Sequence, residues 1–138
     1  MRLAEVATGD TVAHRLLIRV ISLMAGYRLP DAARVAFYDK AFAGPALGSW
    51  TQRAMRGESG WTIAERELMA AMIASWNSCP FCVGAHRAIA VHGVEPEVVD
   101  AVLSDYRTAP ISERLRAALA FIERLTMDPG SVAAADAQ

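Results

Sequence analysis

The sequence lacks the patterns that mark several common classes of protein. No stretch alternates apolar and polar residues for long enough to predict a β-strand. There is no glycine-rich phosphate loop, no Ser-His-Asp arrangement and no basic patch interleaved with aromatic residues. The formal net charge is −1 and the pI is near 6.3, so electrostatics give no reason to expect a nucleic-acid partner. These absences favour an all-α protein that does not bind nucleic acid.

Long hydrophobic runs are also missing. The most apolar stretch, Leu16 to Met24, is too short to span a bilayer and contains Arg19. The opening residues, MRLAEVATGD, are mixed and acidic and lack the form of a signal peptide. A chain of 138 residues with 54% apolar composition is large enough for one hydrophobic core and is not of the disordered class. We therefore expect a single cytoplasmic domain over residues 1–138, with no membrane partner.

Helical periodicity covers most of the chain. The patterns predict helices over Val12–Ala25, Pro30 to about Ala41, Gly44 to about Arg56, Thr62 to about Asn77, Pro80 to Val91, Glu95 to Asp105, and Ile111 to Met127. The clearest start signal is the capping box of Thr62 and Glu65. The last residues, Ser131 to Gln138, resemble the beginning of another helix.

Cysteine is scarce, and the only two cysteines, Cys79 and Cys82, form one Cys-Pro-Phe-Cys motif. Proline is best tolerated in the first turn of a helix, so Pro80 predicts Cys79 as the N-cap or first residue. Both sulfurs then lie in the positive field of the helix N-terminus, which favours thiolate over thiol. His86 follows Cys82 by four residues and shares its helical face. This arrangement indicates thiol redox chemistry, with His86 as the proton acceptor.

Glu67 lies on the preceding predicted helix. Its helical stripe continues through Ala71, Ala74 and Ser78, which are small enough to let another helix approach. If the two helices pack antiparallel, the carboxylate comes near Cys82 and His86 and can pass a proton onward. The alternative is an exposed carboxylate among ordinary helix formers, and the spacing leaves both interpretations open.

The cysteine pair has two other interpretations. One is a zinc site built from Cys79, Cys82, His86 and His92, because Cys-x-x-Cys is a common half-site. The two histidines are six residues apart, however, and point in different directions on a straight helix. The other is a pair of buried, chemically idle thiols. A thioredoxin-like site is disfavoured because no strand precedes the motif. We expect neither a metal nor a cofactor.

The segment from Glu65-Arg-Glu-Leu to Ser78-Cys-Pro-Phe-Cys-Val-Gly-Ala-His86 resembles the AhpD-like alkylhydroperoxidase branch of the carboxymuconolactone decarboxylase family. That branch carries a glutamate, eleven residues, Cys-x-x-Cys, three residues and a histidine, matching Glu67, Cys79, Cys82 and His86 here. The resemblance implies an all-α, AhpD-like fold with a helix-turn-helix that carries the motif, and association into trimers or hexamers. It also implies a peroxidase for alkyl hydroperoxides that is regenerated by a dithiol or protein reductant.

The resemblance also suggests a role for each residue of the motif. Cys82, the cysteine nearer the histidine, is expected to attack the peroxide, and Cys79 to resolve the product as a disulfide. His86 and Glu67 would form the proton relay. Some members of the branch carry a further histidine between the cysteines, where this chain has Phe81. Members usually continue beyond the region of Met127, so the end at Gln138 suggests that C-terminal helices are lacking.

The sequence leaves two further functions open. A non-catalytic helical oligomer could use the cysteine pair as a redox switch. A lactone decarboxylase relative is less favoured, because such relatives lack the cysteine pair.

Overall fold

The computed structural model describes residues 6, 8–35 and 44–137 of the chain. These residues form helices and no β-strand, so the predicted all-α class is confirmed. The chain divides into two compact units, Met1–Arg56 and Gly57–Gln138. The expectation of a single domain over residues 1–138 stays a prediction. No helix in the described ranges has both the length and the apolar character needed to cross a bilayer.

The N-terminal unit contains α1 (Val12–Ala25), α2 (Asp31–Arg34) and α3 (Gly44–Arg56). Thr11 caps α1, because its side-chain oxygen accepts a hydrogen bond from the amide of His14 at 3.1 Å. Gly26 ends α1 at φ +72°, a left-handed conformation that glycine adopts without strain. The bounds of α1 and α3 agree with the predicted ones. The predicted second helix is α-helical over Asp31–Arg34, and its residues 36–41 lie outside the described ranges.

The C-terminal unit contains α4 (Ile63–Trp76), α5 (Pro80–Ala90), α6 (Pro96–Asp105) and α7 (Glu113–Met127). Helix α4 is central, since it packs against α5, α6 and α7. It is therefore apolar on most sides rather than along one stripe. The core of this unit consists of Leu68, Met69, Met72, Ala90, Val99, Val102, Tyr106, Ala109, Leu115 and Leu119.

Local hydrogen bonds hold the ends of these helices. The predicted capping box is confirmed: the amide of Glu65 donates to Oγ1 of Thr62 at 3.1 Å, and the amide of Thr62 donates to Glu65 at 2.8 Å. At the other end of the unit, the Arg116 guanidinium donates to the carbonyls of Tyr106 at 2.8 Å and Ala109 at 3.0 Å. Arg116 thereby satisfies carbonyls that the end of α6 leaves without helical partners.

The C-terminal tail differs from its prediction. Residues after α7 form two short 3₁₀ turns, Pro129–Ser131 and Ala134–Ala137, rather than the start of an α-helix. Arg124 on α7 explains the difference, because it donates to Asp136 at 2.9 Å and to the carbonyl of Ser131 at 3.0 Å. Asp136 in turn accepts a hydrogen bond from the amide of Ala133 at 2.8 Å. These bonds fold the tail back onto α7.

One partly buried carboxylate joins α6 to α7. Glu123 accepts hydrogen bonds from the hydroxyl of Tyr106 at 2.7 Å and from the Arg107 guanidinium at 2.6 Å. The Tyr106 hydroxyl and the Arg107 guanidinium together lower the pKa of Glu123 below its ordinary value of 4.5. Burial and the neighbouring carboxylate raise the pKa of Tyr106.

Glu123 should therefore stabilise the fold at neutral pH and not in strong acid. Because its pKa is lowered in the folded state, its contribution is fully present above the unfolded pKa and disappears as pH falls through the folded one. Glu123→Gln should lower the free energy of unfolding by about 1 kcal/mol at pH 7. Urea denaturation at pH 7 and in acid measures the difference. Glu58→Gln, at an exposed carboxylate in the bend before α4, is the control and should change neither value. A deficit of equal size at every pH would contradict this role.

Candidate functional site

The turn between α4 and α5 places the cysteine motif. The amide of Ser78 donates to the carbonyl of Ser75 at 2.9 Å, and the amide of Cys79 donates to the carbonyl of Ala74 at 2.9 Å. This pair of bonds is the Schellman arrangement that ends many helices. Its left-handed position, usually glycine, is occupied by Ser78 at φ +54°. The sequence indicated a turn at Asn77-Ser78 but carried no signal for the left-handed residue.

Cys79 belongs to both helices that flank the turn. Its amide closes α4, and its carbonyl accepts the amide of Val83 at 3.0 Å in the first turn of α5. Cys79 is the N-cap of α5 and Pro80 occupies the first turn, as predicted. The Cα atoms of Cys79 and Cys82 are 5.3 Å apart and the two sulfurs are bonded as a disulfide. Both cysteines are half-buried, so the disulfide is within reach of solvent.

Glu67 is the most unusual residue of the site, because its carboxylate is buried. It is 2% exposed, and its Oε2 lies 2.6 Å from Nδ1 of His86 on α5. The interpretation of Glu67 as a solvated surface carboxylate is therefore wrong. A buried carboxylate is costly unless it is hydrogen-bonded and paired, and His86 provides this partner. The His86 side chain is 34% exposed, so the pair runs from the interior to the surface.

Small residues allow this contact between α4 and α5. Ala71 is fully buried and Ala74 is 7% exposed, on the face of α4 that also carries Glu67. Beyond the end of α5, a Cβ atom added at Gly93 would lie 2.9 Å from the Cβ of Ala64. The close packing predicted for the small stripe of α4 is present, and Gly93 adds a contact that the sequence did not indicate.

The other residues of the zinc interpretation do not join the pair. His92 is exposed and follows the end of α5. No group of three or more His, Cys, Asp or Glu side chains within the described ranges is placed to hold a metal ion. The structure brings together Glu67 with His86 and Cys79 with Cys82, on two helices joined by one turn. The roles of these residues stay predictions.

An apolar surface lies beside the motif. Phe81 is 37% exposed and Ile89 is 39% exposed, and between them on α5 are the exposed small residues Gly84, Ala85 and Ala88. Their spacing places all five on one stripe of the helix. Phe81, one of the two residues between the cysteines, thus belongs to this surface rather than to the Glu67–His86 pair.

Comparisons with known proteins give the family and the fold of this chain. The model of the carboxymuconolactone decarboxylase family matches residues 44–124. A crystal structure from Ralstonia eutropha JMP134, described as an alkylhydroperoxidase AhpD core and an uncharacterized peroxidase-related protein, is 28% identical, with a TM-score of 0.67. The match covers 91% of this chain and 66% of that one, so this chain spans slightly less than two thirds of its length.

A second crystal structure has the same fold. It is an uncharacterized peroxidase-related protein from Silicibacter sp. TM1040, 22% identical, with a TM-score of 0.68 over 99% of this chain and 75% of that chain. No curated protein matches the sequence significantly. The predicted AhpD-like fold is confirmed, with the Cys-x-x-Cys pair on its helix-turn-helix.

The left-handed turn predicts which side chains position 78 accepts. Ser78→Val should lower the free energy of unfolding by about 1–2 kcal/mol, because a β-branched residue is strained at positive φ. Ser78→Gly should remain close to wild type, since relief of strain offsets the greater freedom of the unfolded chain. Urea denaturation of the oxidised protein measures both. Equal stability of the valine and glycine variants would show that the turn is not constrained as described.

Proposed function

Because the chain belongs to the carboxymuconolactone decarboxylase family and has an AhpD-like fold, we propose that it is a thiol-dependent peroxidase that reduces alkyl hydroperoxides. The observation that carries the proposal is the buried Glu67 carboxylate, bonded at 2.6 Å to a histidine one helical turn from Cys82. A solvated surface residue would not require such a partner. The proposed proton relay to the Cys82 thiol, in contrast, depends on the contact between Glu67 and His86.

The Glu67–His86 hydrogen bond determines which nitrogen of the imidazole can accept a proton from the Cys82 thiol. When Nδ1 carries the proton, it donates to Oε2 of Glu67, and Nε2 is left as the acceptor. The carboxylate also stabilises the imidazolium that forms when Nε2 takes a proton. His86 thus acts as the base for the Cys82 thiol, and Glu67 acts through His86 as a positioning residue. Their helices hold both groups in place before a substrate binds.

The proposed reaction uses both cysteines. The Cys82 thiolate attacks the terminal oxygen of the hydroperoxide, the O–O bond breaks, and the leaving alkoxide takes the proton from His86 to become an alcohol. Cys82 is now a sulfenic acid. The Cys79 thiol condenses with it, releasing water and forming the disulfide that the structure contains. A dithiol reductant then exchanges with the disulfide, returns two electrons and two protons, and is itself oxidised to a disulfide.

The turn favours the second step of this reaction. The amide of Cys79 donates one hydrogen bond and its carbonyl accepts another, so its backbone has little freedom relative to Cys82. With the Cα atoms 5.3 Å apart, a disulfide forms with little backbone movement. The intramolecular thiol therefore reacts at a high effective concentration, ahead of further oxidation of the sulfenic acid.

We infer a cytoplasmic homo-oligomer, a trimer or hexamer, whose partners are a hydroperoxide and a dithiol or protein reductant. The exposed apolar stripe from Phe81 to Ile89 supports association, because water contact with such a surface is unfavourable. Fast turnover with dithiol distinguishes this peroxidase from a redox switch, which would be oxidised once and would change its oligomer size.

Replacement of the two cysteines should separate their roles. Pre-reduced wild-type protein mixed with cumene hydroperoxide, without reductant, should lose both thiols and an equimolar amount of peroxide. Cys82→Ser should consume none, because the attacking thiolate is gone. Cys79→Ser is the matched variant: it should consume an equimolar amount of peroxide and accumulate a sulfenic acid that dimedone traps. Thiol titration, peroxide assay and mass spectrometry report these quantities. Full peroxide consumption by Cys82→Ser would overturn the assignment of the nucleophile.

Glu67→Gln should slow peroxide reduction by about 10- to 100-fold, because glutamine keeps the shape but removes the charge that supports the imidazolium. Disulfide formation by diamide should be unchanged, since that reaction does not need the relay. Stopped-flow measurement of thiol loss gives both rates. Glu58→Gln, at an exposed carboxylate of the same unit, is the control and should match wild type. An unaltered peroxide rate in Glu67→Gln would return Glu67 to a structural role.

A further inference from the structure

The N-terminal unit contains a cavity that the peroxidase chemistry does not use. Its volume is about 900 Å³, within the range of small-molecule sites. One face of α1 and the segment that follows α1 line it. Ile18, which is 4% exposed, provides a buried apolar wall, and Leu23 extends the apolar lining.

The lining of this cavity is positively charged. It includes Arg15, Arg19, Arg28 and Arg34 and no acidic residue. Arg28 pairs with Asp31 at 3.1 Å, so part of this charge is compensated nearby. The net charge of the chain is −1, so this group of arginines does not reflect a basic protein as a whole.

Two of these arginines lack a carboxylate partner within the described ranges. Arg15 donates from Nε to the carbonyl of Gly9 at 3.2 Å, which leaves its charge uncompensated, and Arg19 makes no polar contact there. They are four residues apart on α1, so two like charges face the same cavity from successive turns. Both side chains are exposed, so water screens their repulsion, and an anion bound between the two guanidinium groups would reduce it further.

The lining also contains groups other than arginine that can bind an anionic ligand. The Ser22 hydroxyl accepts the amide of Leu29 at 3.0 Å, which leaves its own proton to donate to a ligand oxygen. The ring of Tyr27 is at the cavity and half in solvent. The site thus combines a fork of guanidinium donors, a hydroxyl donor and an apolar wall.

We propose that this cavity binds a small amphiphilic carboxylate, with its head group between Arg15 and Arg19 and its apolar chain against Ile18 and Leu23. Guanidinium groups bind carboxylates in a bidentate manner, and the hydroxyl of Ser22 adds a further donor. The site is independent of the peroxidase proposal. Its ligand is bound rather than oxidised, and binding is measured without peroxide.

Titration calorimetry of the full chain with decanoate, below its micelle concentration, tests the site. Decanoate should bind saturably at one site per chain, at least ~10-fold more tightly than decanol, because decanol lacks the charge that the arginines recognise. Arg19→Gln should weaken decanoate binding at least ~10-fold, and Arg19→Glu should weaken it further. High salt should weaken it in wild type.

Arg53→Gln is the matched control, because Arg53 is an exposed arginine of α3 outside the cavity lining. It should bind decanoate like wild type, and circular dichroism should show that each variant keeps its helix content. The proposal is overturned if decanoate fails to bind at millimolar concentration or if decanol binds equally well. It is also overturned if Arg19→Gln and Arg53→Gln lose affinity to the same extent.

Discussion

The C-terminal unit depends on one buried polar contact, the bond between the Glu67 carboxylate and the His86 imidazole. Glu67 lies on α4, the helix against which α5, α6 and α7 pack, and it is 2% exposed. A carboxylate at this depth is unfavourable unless it is hydrogen-bonded, so the contact with His86 favours a register of α5 on α4 that brings these two side chains together. The same register places Cys82, one turn before His86, on the same face of α5. The packing of α5 on α4 and the proposed chemistry therefore both depend on the same register between these two helices.

The turn at Ser78 fixes the position of the other cysteine, Cys79. Its two backbone hydrogen bonds end α4 and place Cys79 at the N-cap of α5, so that only this short turn separates the two helices. A longer connection would let the helices pack while leaving the position of Cys79 undefined. Ser78 accepts a left-handed backbone for this purpose, although serine is less suited to it than glycine. Strain at such a position is common next to functional residues.

The parts of this structure that sequence reasoning predicted are those with local causes. The capping box at Thr62, the proline at position 80 and the glycine at position 26 act within a few residues, so the helix bounds followed from them. The burial of Glu67 was undecided because it depends on how two helices dock, and apolar periodicity does not distinguish a buried carboxylate from an exposed one. The tail was predicted wrongly because its conformation depends on a tertiary contact, in which Arg124 on α7 donates a hydrogen bond to Asp136. The conformation of Ser78 had no sequence signal, since glycine is the residue that marks it.

Phe81 bears on how strongly the proposed reaction depends on the Glu67–His86 pair. Some AhpD-like relatives have a histidine between the cysteines, and a second imidazole offers a second route for the proton. The phenyl ring of Phe81 carries no exchangeable proton and belongs to the exposed stripe of α5. In the proposed reaction, the proton of Cys82 therefore passes through His86 or directly to water. In the proposed reaction, the buried Glu67 carboxylate favours the first route, because a negative charge beside the ring stabilises the imidazolium that forms there. Loss of the Glu67 charge should consequently cost this chain more than it costs a relative with two imidazoles.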